Sequence, residues 1–224
     1  MEFLAHRRNA TVQCVVEGDD SLAVYSDGWV PSSEDFAQLG FTAKTNSTKE
    51  FSKAGFCGIV ADEDELENVR DPLVKIMDFG WIMSPQYLYS REDKLKGLLK
   101  AKSLSLIAEL PACPVVTRLA EHFVGLLDEI PVIWDGEDKW KLEHLDFSVK
   151  PRPIGIATRE LVSVLYGIPV DLQLYLENQW IPSLTLDGPM SCPELDSILN
   201  DRFPMCADYY NRCVVSLPPG AVLL

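Results

Sequence analysis

Thr11 to Tyr25 reads TVQCVVEGDDSLAVY. A β-branched and apolar run climbs to the acidic doublet Asp19-Asp20, set directly after Gly18, and a second apolar run, Leu22 to Tyr25, leads away. The pattern predicts a β-hairpin carrying two carboxylates at its tip. Side chains alternate between faces along an extended strand, so a tight turn is needed to bring both acids near one edge. Gly18 supplies the positive φ that such turns often demand. Two carboxylates 4 Å apart repel by roughly 1 kcal/mol in water and about 4 kcal/mol at an effective dielectric near 20. A cation is therefore expected beside them, and Mg²⁺, which seeks carboxylate and phosphate oxygens, is the natural partner. The competing reading is an ordinary polar turn, because Gly and Asp are common wherever a chain reverses. Glu17, one residue before the turn, is expected to project elsewhere.

At 224 residues and 47% hydrophobic, the chain can bury a sizeable core, in one large domain or two small ones. No run of about 18 apolar residues occurs, and MEFLAHRRN lacks the charged start, apolar centre and cleavage site of a signal peptide. A soluble, unsecreted protein is expected. The six cysteines are scattered with no C-x-x-C pair, and with three histidines they offer no zinc-ligand spacing. They read as reduced, mostly buried thiols.

A formal net charge of −14 argues against nucleic-acid binding by charge alone, since phosphate contacts are made by Lys and Arg. The imbalance is uneven. Residues 1–60 hold five basic and eight acidic side chains, which leaves −11 for residues 61–224. The one basic cluster, Arg91 to Lys102, reads REDKLKGLLKAK and is expected to be the solvated face of a helix.

Around the hairpin, Glu2 to Arg8 reads as the last turns of a helix, with its arginines where the dipole favours cations. Asp27-Gly28 predicts a turn, and Pro31 to Leu39 a short helix with Gly40 past its end. Phe41 to Thr45 alternates as a strand, and Glu50 to Val60 reads as a second hairpin turning near Lys53 to Gly55. From Ala61 the acidic run DEDELE introduces helical periodicity, so the domain boundary is placed there. Asp71-Pro72 opens a helix that Gly80 closes. Ser90 with Asp93 resembles a capping box for a long helix toward Leu110. After Pro114, Val116, Leu119, Ala120, Phe123, Val124 and Leu127 form an apolar stripe with His122 on the opposite, solvated face. Glu129 to Pro153 carries no clear pattern. Helices are expected again at Thr158–Tyr166, Pro169–Asn178, Ser191–Asn200 and Pro204–Arg212.

Three segments thus follow in order within about fifty residues: the acidic hairpin VEGDDSLAVY, the helix-to-strand segment FAQLGFTAK, and FCGIV. Together they resemble palm motifs C, D and E of viral RNA-dependent RNA polymerases, in the form seen in positive-strand RNA viruses of the tombusvirus-like groups. Motif C corresponds to Gly18-Asp19-Asp20, motif D to Leu39 through Lys44, and motif E to Phe56-Cys57-Gly58. The likeness covers roughly residues 10–60, weakens over Asp71 to Trp81, and leaves the remainder with the general look of a helical thumb.

The resemblance implies an α+β fold, with a partial palm in residues 1–60 and a mostly α-helical thumb in residues 61–224. Nucleotidyl transfer of this kind uses two Mg²⁺ ions, with Mn²⁺ as the substitute, held by carboxylates about 3.5–4 Å apart. Asp19 is then the principal metal ligand and Asp20 its support. Lys44 becomes the general acid or cation for the departing pyrophosphate, with Lys49 as the rival position. Gly18, Phe56 and Cys57 lie against substrate, the last two helping to hold the 3′ end of the growing strand. The implied partners are template and product RNA, nucleoside triphosphates, an upstream palm and fingers polypeptide, and other replicase proteins. The implied setting is viral replication complexes in host cytoplasm.

Motif A, with its further metal-binding Asp, motif B and the basic fingers all precede motif C in the family, and only 17 residues precede Gly18 here. The chain is therefore expected to be inactive alone. The alternative from another class is a non-catalytic acidic helical interaction module, in which Gly18-Asp19-Asp20 is only a hairpin turn.

Overall fold

A two-residue loop, Gly18-Asp19, joins β1 (Val12–Glu17) to β2 (Asp20–Tyr25) in an antiparallel ladder running from Val12 opposite Tyr25 to Glu17 opposite Asp20. Gly18 has φ +59° while Asp19 stays on the negative side, as in a type II′ loop, whose twist suits the flanking strands. The computed structural model describes residues 1–80, 85–87, 89–135, 139, 141–186 and 192–203. Over these the chain is mixed α+β and mostly helical, with two small antiparallel two-stranded sheets near the N-terminus. It divides into two compact units, Met1–Leu66 and Glu67–Leu224.

In the first unit α1 (Glu2–His6) buries Leu4 and Ala5. Just beyond it, Arg8 pairs with Asp27 at 3.2 Å and lies 4.5 Å over the ring of Trp29, which meets Tyr25 edge-on at 5.6 Å. These contacts, with the Thr11 N–H donating to Ser26 Oγ, clamp the open end of the hairpin. Helix α2 (Ser33–Ala37) starts with a capping box, the Ser32 side chain accepting from the Asp35 N–H and the Asp35 carboxylate accepting from the Ser32 N–H. Gly40, at φ +84°, follows its end.

Two expectations for this unit are corrected. Phe41 to Thr45 is irregular: alternation makes a strand only where a neighbour supplies ladder partners, and Phe41 is exposed instead. The second reversal is not at Lys53 to Gly55, where a 3₁₀ turn (Phe51–Lys53) forms, but at Cys57-Gly58. Phe56 and Ile59 exchange both backbone hydrogen bonds at 2.9 Å around it, and Cys57 and Gly58 have φ +51° and +73°, the type I′ pattern. The strand β3 (Val60–Ala61) follows.

The second unit begins with β4 (Asn68–Val69) and α3 (Pro72–Asp78), whose N-cap Asp71 accepts from the Leu73 N–H at 3.0 Å and which Gly80 follows at φ +79°. The Ser90/Asp93 capping box does not form: α4 (Glu92–Glu109) is preceded by Arg91, and Asp93 pairs with the Arg91 side chain. Helix α5 (Val116–Leu126) packs along α4 and buries Val116, Leu119, Ala120 and Phe123, the expected stripe, with Leu127 just past its end. Phe123 meets Phe79 at 4.8 Å between ring centres. A short α6 (Lys141–His144) precedes α7 (Ile156–Tyr166), closed by Gly167 in the left-handed region. Then α8 (Val170–Tyr175) runs into a π-helical turn (Leu176–Trp180) and α9 (Ile181–Ser183), and α10 (Pro193–Arg202) follows. The expected helix at Pro204–Arg212 lies outside the described residues, as do Trp81, Cys206 and Cys213. No helix among the described residues is long and apolar enough to cross a membrane.

Candidate functional site

The hairpin tip places three carboxylates within four residues. Asp19 occupies the loop, and Asp20 opens β2 directly opposite Glu17; all three are exposed. Residues paired across a ladder share a face, so Glu17 does not project elsewhere as expected but stands beside Asp20. No Lys, Arg or His is ion-paired with any of the three among the described residues.

The Cys57-Gly58 turn, forty residues further on, meets this acidic face. Cys57 Sγ donates to Glu17 Oε2 at 3.7 Å, and Asp20 lies within hydrogen-bonding reach of the same thiol. Desolvation first, then the negative charges of Glu17 and Asp20, push this thiol above its usual range, so at neutral pH it is a protonated donor. A non-glycine residue in the left-handed region costs about 1–2 kcal/mol, so the turn holds Cys57 there against its backbone preference. Between hairpin and turn lies an open cleft of about 280 Å³ lined by Asp20, Ser21, Gly55, Phe56, Cys57 and Gly58.

The structure thus brings together Asp20, Phe56 and Cys57, with Gly18 and Asp19 adjoining them. Lys44 and Lys49 are exposed in the irregular segment after α2 and take no ion pair there among the described residues. Glu17 was the residue missed. Its signal was the loop length: once Gly18-Asp19 is a two-residue loop, residues 17 and 20 must pair.

Asp19 and Asp20 are hard oxygen donors of the kind Mg²⁺ prefers. Among the described residues, however, no three His, Cys, Asp or Glu side chains converge as a metal-holding group. The residues present do not compose a complete divalent site; they fit a contribution to one that draws further carboxylates from elsewhere.

The sides of the hairpin are as informative as its tip. Val15, Val16 and Val24 are 52%, 59% and 68% exposed, and of the twelve strand residues only Tyr25 is buried. Strands rich in valine normally lie against a core or a neighbouring strand, and a two-stranded hairpin is marginal by itself.

The basic cluster is not the solvated face expected of it. Lys94 pairs with Asp135 at 2.9 Å and Lys96 with Glu92. Lys100 donates to the carbonyls of Asp128 and Ile130 at 2.8 and 2.9 Å, and Lys102 to that of Asp78 at 2.6 Å. These lysines tie down the loops around α4. His122 is likewise engaged, Nε2 donating to the Leu184 carbonyl at 2.9 Å rather than facing solvent. Of the described cysteines, Cys113 and Cys192 are buried, Cys57 is half-buried and Cys14 is exposed, and none is bridged.

The second unit holds its own buried polar group. Glu177, on the π-helical turn, accepts from the Val115 N–H at 2.8 Å and from Arg159 at 2.7 and 3.1 Å. Val115 precedes α5 at φ +65°, and Gln173 donates to the carbonyls of Arg159 and Ile168. The Glu177 carboxylate and the Arg159 guanidinium serve each other and the Val115 N–H, which marks the cluster as a structural fastening for the start of α5, while Gln173 Oε1 is buried without a hydrogen-bond partner among the described residues. No protein-family model, no curated protein and no solved structure matches this chain.

Proposed function

We propose that this chain is the C-terminal part of an RNA-directed RNA polymerase, the end of a palm followed by a helical thumb. One observation carries the reading: the acidic hairpin presents Asp19 and Asp20 to solvent on strands whose valines are uncovered. A palm sheet lacking its other strands would look so. An interaction module with a decorative turn has no need of exposed valines along both strands of a hairpin.

In this reading Asp19 and Asp20 contribute charge and oxygen ligands at the point where the growing strand meets the incoming nucleotide. Mg²⁺, when bound with carboxylates from the upstream polypeptide, supplies activation of the 3′ hydroxyl and neutralises the pyrophosphate. Lys44 holds the proton that the pyrophosphate takes as it leaves. Phe56 and Cys57, across the cleft from Asp20, contact the end of the product strand. Template RNA and nucleoside triphosphates are the substrates, and the positively charged channel wall comes from the upstream polypeptide.

The engagement of Lys94, Lys96, Lys100 and Lys102 in internal contacts favours the second reading, an acidic module that binds no RNA. Sequencing the coding nucleic acid upstream of the Met1 codon separates the two. A D-x-x-x-x-D motif followed by an S-G-x-x-x-T pattern, in frame or reached by a frameshift, is expected for the polymerase. A stop codon and a promoter there would contradict it.

A further inference from the structure

We propose that Cys57 is a positioning residue of the acidic hairpin, its thiol holding the opposed side chains of Glu17 and Asp20 in alignment. The proposal deepens the polymerase reading and rests on it for the catalytic consequence. Three geometric observations carry it. Glu17 and Asp20 are a directly opposed pair, so whatever fixes one constrains the other across the ladder. The Cys57 sulfur stands 3.7 Å from Glu17 Oε2, a contact that joins two reversals forty residues apart. Cys57 is also held at φ +51° in a tight turn where glycine or asparagine would sit without strain, so its side chain is retained against the backbone's preference.

Like charges on opposed strand residues repel, and among the described residues no lysine or arginine pairs with either of these. A neutral donor inserted at their edge orients the carboxylates without cancelling the charge that a cation would need. A lysine in its place would orient them but compete with that cation. The role accounts for a thiol rather than an ammonium at this point in the turn.

The test uses the full chain and three variants. Cys57→Ala and Cys57→Ser remove and conserve the donor, and Cys57→Gly removes it while relieving the backbone, so that a folding defect is separable from a lost thiol. Side-chain NMR couplings should show one Glu17 rotamer in the wild type and Cys57→Ser, and rotamer averaging in Cys57→Ala and Cys57→Gly. When the chain is joined to its upstream polypeptide, Cys57→Ala should lower kcat about tenfold with nucleotide KM unchanged, and Cys57→Ser should restore most of it, as for other groups that orient metal-ligand carboxylates. A Glu17 rotamer indifferent to both Cys57→Ala and Cys57→Gly would overturn the proposal. If the joined wild type copies no RNA, the polymerase reading falls, and the rotamer measurement still decides whether Cys57 orients the hairpin.

Discussion

Glu17 and Asp20 oppose each other across the closing pair of the β1–β2 ladder, and the thiol of Cys57 lies 3.7 Å from the first of them. The acidic centre is therefore not the Asp19-Asp20 doublet alone. It is a four-residue tip with a donor from a second turn set against it.

The tip depends on Gly18. No atom lies within 4 Å of where a Cβ would stand, so Gly18→Ala meets no clash and its whole effect is the left-handed backbone at φ +59°. A loss of about 1 kcal/mol in local stability is expected, seen as roughly fivefold faster hydrogen exchange of the β1 and β2 amides. Unchanged exchange would mean that the loop has another conformation.

Gly97 is constrained for the opposite reason. A Cβ there would meet Ile133 Cγ1 at 2.7 Å and the Pro131 carbonyl oxygen at 2.9 Å, and Ile133 already donates its N–H to the Gly97 carbonyl. The side chain could shift but the backbone oxygen could not. Gly97→Ala should destabilise by about 1–3 kcal/mol in urea unfolding, whereas Gly125→Ala, in open space on α5, should not destabilise at all.

The pairing of Glu177 with Arg159 is nearly dry, their side chains being 5% and 11% exposed. Glu177→Ala strands a buried guanidinium and orphans the Val115 N–H, and should cost about 3–5 kcal/mol. Glu177→Gln keeps an acceptor for Val115 and should cost less. Urea denaturation of the two variants checks the order, and a smaller loss for Glu177→Ala would contradict it.

Cys113 supplies a pH test. Burial pushes its thiol up to about 12 from an ordinary value of 9.0. Below pH 9 both folded and unfolded chains keep the proton, so the group's contribution is intact. Between about 9 and 12 the unfolded chain releases it first, and stability falls as pH rises. Cys113→Ala should show a shallower decline over that window in denaturant unfolding. An equal decline would place the cause elsewhere, with Tyr166, also pushed up to about 12 chiefly by burial, the first candidate.

Local features were legible in the sequence. The hairpin, the Asp71 cap and the apolar stripe of α5 each follow from residues a few positions apart. What escaped depends on distant partners or on choosing between equivalent signals. Gly55 and Gly58 both qualify as turn glycines, and only the Phe56–Ile59 pairing selects the second. Phe41 to Thr45 alternates but has no neighbouring strand among the described residues, and Lys100 looks solvated until the carbonyls of Asp128 and Ile130 arrive beside it. The facing of Glu17 and Asp20 was within reach, since it needs only the length of the loop.

Primer extension on an RNA template tests the central claim most directly. The chain alone should add no nucleotide, because Asp19, Asp20 and Glu17 do not make a complete metal site. Joined to the upstream polypeptide it should extend the primer in Mg²⁺. Asp19→Ala should abolish that extension and Asp20→Ala should damage it less, while Lys44→Ala should slow it by up to about 10²–10⁴, the usual worth of a positioned proton donor. Full synthesis by the joined enzyme after Asp19→Ala would contradict the account of the hairpin as the catalytic centre.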